Sequence, residues 1–121
     1  MEFLLLIYYT EAEWAKLAPA DHAALYQEYG QLREELTGKG KFLGGSQLRP
    51  TTTATSVRVR DGKRVVTDGP FAETKEQLGG FFLVNASDQD EAIAIAARIP
   101  SARNGTIEVR QLAVRGQAKQ A

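Results

Sequence analysis

One side chain in this sequence can exchange a proton near neutral pH without help: His22, the sole histidine of the chain, because imidazole alone titrates in that range unperturbed. The acid best placed to work with it by chemistry is Asp68, in the stretch Thr67-Asp68-Gly69-Pro70-Phe71. An aspartate ordinarily accepts from the backbone N–H two residues on, but that residue is Pro70, which has none. Its carboxylate then either caps the N–H of Phe71 or Ala72, or faces a cavity as base, orienting group or cation ligand. Glu73 is a second acid in the same loop. For His22 the alternatives are an acid-base residue and an ordinary residue opening a helix.

Other chemistries are poorly supplied. The chain has no cysteine, so disulfides, thiolate metal sites and thiol nucleophiles are excluded, and with one histidine a zinc site is hard to build. Ser46 and Ser56 stand in no nucleophile-elbow pattern. Gly44-Gly45 and Gly79-Gly80 precede no helix, so there is no phosphate or dinucleotide fingerprint and no cofactor is implied. Glu73, Lys75 and Glu76 form a polar run suited to a solvated face rather than a metal cluster. Lysine plus arginine equals aspartate plus glutamate, 15 each, which gives no global field for nucleic acid or an anionic membrane. The apolar N-terminus is too short to span a bilayer and lacks a basic lead-in and a cleavage pattern, which places the protein in the cytoplasm.

The elements that must position these groups follow from periodicity. Phe3 to Tyr9 is an unbroken apolar run of strand length, expected as a central strand. Thr10 to Leu17 suggests one helical turn, with Thr10 and Glu13 in capping-box spacing and Trp14 packing over the sheet edge. Pro19 and Asp21 open the main helix, whose Leu25, Tyr29, Leu32 and Leu36 fall on one face, and Gly38 and Gly40 stop it. In the strand around Phe42 to Leu48, Gly44-Gly45 marks a bulge or a close backbone approach, either of which suits a cavity wall. Val57 and Val59 alternate with Arg58 and Arg60 before Asp61-Gly62, which predicts a hairpin with a basic outer face, a device that keeps an exposed hairpin soluble. Gly80 to Ala86 is a second apolar strand. Asp88 and Glu91 cap a second helix with buried Ala92, Ile95, Ala96 and Ile99; Pro100 ends it, Asn104-Gly105 turns, and Ile107 and Val109 begin a last strand. The order is an α+β, ferredoxin-like βαββαβ plan with an inserted hairpin, one domain over residues 1–114 with a frayed tail over 115–121.

Asp68-Gly69-Pro70-Phe71, followed by Glu73, Lys75, Glu76 and the Gly79-Gly80-Phe81-Phe82 start of a strand, resembles the DGPF-domain proteins of the YciI-like (YCII-related) superfamily. The resemblance implies a ferredoxin-like domain that dimerises into an α+β barrel around a cavity. It also implies a catalytic histidine opening the first helix, which His22 matches, paired with an aspartate near that helix's end. The corresponding stretch here, Leu36 to Gly40, has no acid, so the carboxylate must come from Asp68 or Glu73, with Gly69, Pro70 and Phe71 lining the substrate site and Phe71 anchoring the loop. Two functions follow: proton transfer or elimination on a small organic molecule, with His22 as acid or base and Asp68 orienting it, or a non-catalytic, ligand-sensing partner of an extracytoplasmic-function sigma factor. The βαββαβ order is shared with RNA-recognition modules, but Leu4, Leu6, Phe82 and Val84 stand where their basic and aromatic series would be. Homodimerisation is expected on burial alone, since two strands are apolar on both faces and two long helices cover only one.

Overall fold

The computed structural model describes residues 1–114; the expected tail lies outside them. The elements are β1 (Glu2–Tyr9), α1 (Glu11–Ala15), α2 (Pro19–Gly38), β2 (Phe42–Gln47), β3 (Thr55–Arg60), β4 (Lys63–Asp68), β5 (Gln77–Asn85), α3 (Gln89–Arg98) and β6 (Thr106–Gln111), with single 3-10 turns at Thr51–Thr53 and Pro100–Arg103. Four strands form an antiparallel sheet in the order β2-β5-β1-β6, and β3 and β4 form a separate two-stranded sheet. β1 is central, as its two apolar faces require, and the order is the ferredoxin-like arrangement in which β5 lies between β1 and β2.

The two faces of β1 have different fates. Phe3, Leu5 and Ile7 are buried and join Phe82 and Val84 of β5, Leu32 and Leu36 of α2, and Ala92, Ile95, Ala96 and Ile99 from α3 and its C-cap in one core. Leu4 and Leu6, opposite Leu83 and Phe81, lie on the other face, half-buried. On that face β6 contributes Glu108 and Arg110, which makes a polar rim beside an apolar strip.

Local chemistry explains the boundaries. α2 starts at Pro19, where a missing N–H costs nothing. It ends in a Schellman cap: Gly40 is left-handed at φ 70°, its N–H reaches Thr37 O (3.0 Å), and Lys41 N–H reaches Leu36 O (2.8 Å), so carbonyls of the last turn are satisfied. α3 starts as its spacing predicts, with Glu91 N–H donating to Asp88 Oδ1 (2.8 Å) and Ser87 N–H donating to Glu91 Oε1 (2.8 Å). The expected capping box at Thr10 does not form. The first free N–H of α1, Glu11, instead donates to Gln77 Oε1 at 2.9 Å, so the partner comes from β5.

The hairpin turns at Asp61 (φ 54°) and Gly62 (φ 73°), the two positive values a two-residue type I′ connection needs. One face carries Arg58, Arg60, Lys63 and Val65, the other Val57, Val59, Val66 and Arg64, so the basic face has an exposed valine face behind it. Its base is tied down by Glu11, whose carboxylate accepts from Thr51 N (2.8 Å) and Thr51 Oγ1 (2.7 Å). No helix among the described residues is long and apolar enough to cross a membrane.

Candidate functional site

The sheet bulges twice, and the bulge in β5 serves a cavity. Between β1 and β5 the register steps from Ile7 opposite Gly80 to Tyr8 opposite Leu78, leaving Gly79 as the extra residue. A Cβ on Gly79 would stand 2.2 Å from the Tyr9 ring, so glycine is what lets that ring lie over the bulged strand. Between β2 and β5 the register shifts between Phe42 and Gly44, and a Cβ on Gly45 would meet Phe81 O at 2.6 Å. The bulge and close approach expected at Gly44-Gly45 are both present.

Above these strands α1 and α2 wall a partly open cavity of about 180 Å³. Its floor is Ile7, Gly79, Gly80 and Phe82, its aromatic walls are Tyr9, Trp14, Tyr26 and Tyr29, and its polar groups are Arg33, Ser46 and Gln47. Tyr9 stacks on Trp14 with ring centres 5.2 Å apart and planes 28° from parallel, and Tyr26 meets Trp14 edge-on at 5.8 Å. Tyr29 meets Phe82 edge-on at 6.1 Å, while its hydroxyl shares a hydrogen bond of 2.6 Å with Ser101. Burial pushes the Tyr9 and Tyr29 phenols up, each against a hydrogen bond, from Gln47 and Ser101 respectively. Both hydroxyls therefore stay protonated at neutral pH.

His22 sits behind the Trp14 wall. Its Nε2 lies 2.7 Å from Trp14 O, and because a carbonyl can only accept, Nε2 carries the proton and Nδ1 is left as the exchanging nitrogen. Its ring centre is 4.9 Å from that of Trp14. The imidazole is half-buried, and no ion pair joins it to a carboxylate among the described residues.

The Asp68 loop occupies other ground. Asp68 ends β4 opposite Thr55, with its side chain exposed. Gly69, at φ 98°, is held by Gly69 N–H to Ala54 O (2.7 Å) and by Ser56 Oγ–H to Gly69 O (2.8 Å). The hairpin, rather than an aspartate cap, thus fixes the path of this residue. Gly69, Pro70, Phe71 and Glu73 line a broader depression of about 550 Å³ with Tyr8 and Leu78. Phe71, expected to anchor the loop, is 82% exposed and so buries too little of its ring to anchor it. Tyr8 alternates with Tyr9 along β1, so this depression opens on the sheet face away from the helices, whereas Trp14 and His22 lie on the helix side. A single chain therefore does not bring Asp68 or Glu73 to His22.

The sequence alone does not mark Tyr9, Tyr26, Arg33 or Gln47 as site residues, and its helical periodicity assigns Tyr29 only to the core face of α2. The signal that finds three of them is helical spacing: Tyr26, Tyr29 and Arg33 fall at i, i+3 and i+7 on α2, one stripe pointing back at the sheet. Among the described residues no group of three or more histidine, cysteine or acidic side chains is placed to hold a metal ion.

The sequence pattern of the YCII-related domain matches residues 1–114. The chain belongs to the YCII-related family. An uncharacterized protein of Rhizobium meliloti (strain 1021) is 34% identical over 116 residues, covering 94% of each chain. This YCII-related chain thus shares nearly its whole length with that relative, the cavity-forming strands and α2 included.

Proposed function

We propose that this YCII-related protein binds a small organic molecule in the aromatic cavity beneath α2, and that it does so as a homodimer whose open sheet faces pack together into an α+β barrel. The cavity carries the reading: a partly open space of about 180 Å³ walled by aromatic rings, with a few polar groups at its edge, has the composition of a ligand site. In the dimer, Leu4, Leu6, Phe81 and Leu83 of one copy would cover those of the other. A regulatory role beside an extracytoplasmic-function sigma factor would use the same occupied pocket without turnover.

A second reading, proton-transfer or elimination chemistry, is favoured by the free Nδ1 of His22 and by two carboxylates, Asp68 and Glu73, on a loop that a partner copy can present. There His22 is the acid or base, Asp68 orients it, and Gly69, Pro70, Phe71 and Glu73 form the substrate wall. A thermal-shift screen of small acids, amines and neutral rings separates the readings, with each hit followed by NMR for conversion. Hits recovered unchanged support binding alone. Conversion that His22→Ala abolishes supports catalysis, and the absence of any stabilising compound overturns the pocket.

A further inference from the structure

Resting on the reading of the α2 cavity as a binding site, we propose that its ligand is a small planar carboxylate, a single aromatic or conjugated ring bearing one acid group, held by Arg33. The ring follows from the walls. Tyr9, Trp14, Tyr26 and Tyr29 all line the cavity, and aromatic side chains take a flat π-system by offset stacking or edge contact. At about 180 Å³ the space is below the range of drug-sized sites, a size that suits a single ring.

The acid group follows from charge. Arg33 is the one charged residue lining the cavity. Arg33 stands exposed at the cavity's edge, and among the described residues it has no carboxylate within 4.0 Å. Its neighbours three and four residues away on α2 are Tyr29, Gly30, Leu36 and Thr37, none of which carries a carboxylate to neutralise the guanidinium. A guanidinium matches a carboxylate with two parallel hydrogen bonds. An aromatic box would otherwise suit a cation, and Arg33 repels one. Tyr9 and Tyr29, kept protonated by burial, add no competing negative charge.

Trp14 is the only tryptophan and forms a wall of the cavity, so its fluorescence reports occupancy directly. The full chain is titrated with benzoate, benzyl alcohol and benzylamine. Benzoate should give a saturable change at a concentration at least tenfold below either of the others. Arg33→Gln should remove the preference for benzoate while leaving benzyl alcohol as in the wild type, and Arg33→Lys, which keeps the charge without the fork, should restore part of it. Equal affinity for benzoate and benzyl alcohol, or a preference that survives Arg33→Gln, overturns the carboxylate and leaves the pocket standing. No response of Trp14 to any of the three overturns both. If Arg33→Gln does not fold, Arg33→Lys decides, and an affinity for benzoate equal to wild type overturns the role of the fork.

Discussion

At the scale of single residues, the Tyr29 hydroxyl links the cavity to the far end of the fold: its ring walls the pocket, and its oxygen holds Ser101 in the turn that follows α3. Burial raises its pKa above the ordinary 10.0, with the Ser101 hydrogen bond opposing. For a group whose pKa is higher folded than unfolded, the stability it contributes is complete below the unfolded value and is lost as pH rises through the folded one. Urea unfolding should therefore show a loss of stability above about pH 10 to which Tyr29 contributes. Tyr29→Phe should cost about 1 kcal/mol at neutral pH, the worth of one hydrogen bond, and should lose less than the wild type on going to alkaline pH. An alkaline loss unchanged by the substitution would assign it to other groups.

At the scale of elements, glycine has opposite meanings in α2 and β5. Gly30 lies inside α2 with nothing within 4 Å of where a Cβ would stand, so it carries only the helix-propensity cost. Gly79 sits in the β5 bulge beneath the Tyr9 ring. Gly30→Ala should raise unfolding free energy by about 1 kcal/mol, whereas Gly79→Ala should lower it by about 1–3 kcal/mol and change Trp14 emission as Tyr9 is pushed off its stack. Denaturant titrations of the two variants give the comparison, and a Gly79→Ala protein as stable as wild type would show that the ring has room to move.

At the scale of the whole molecule, the unresolved demand is the open face of the sheet. Both long helices pack on the Phe3, Leu5 and Ile7 side, leaving the Leu4, Leu6, Phe81 and Leu83 strip without a helix, and the separate hairpin also shows apolar surface, with Val59 63% exposed. Burying such strips against each other is favourable by roughly 25 cal/mol for each Å² of apolar area removed. Light scattering at micromolar concentration should give a dimer, and Leu6→Glu, which places a charge in the strip, should give a folded monomer by the same measurement with its circular dichroism retained. A monomeric wild type would refute the face-to-face barrel.

What the sequence determined by itself was what depends on neighbours along the chain. The unbroken run from Phe3 to Tyr9 could only be a central strand; Leu32 and Leu36 marked the buried stripe of α2; Asp61-Gly62 supplied the turn; and Asp88 with Glu91 set the start of α3. The tertiary structure decided what depends on elements meeting across space. Tyr9, Trp14, Tyr29, Arg33 and Gln47 come from four elements, so no local spacing could assemble them, and the bulge at Gly79 that makes room for Tyr9 is visible only once β1 and β5 are in register. The separation of His22 from the Asp68 loop was equally hidden. Strict alternation along β1 puts Tyr8 and Tyr9 on opposite faces, and which face receives α2 and which receives the loop is settled by packing, because both faces of that strand are apolar.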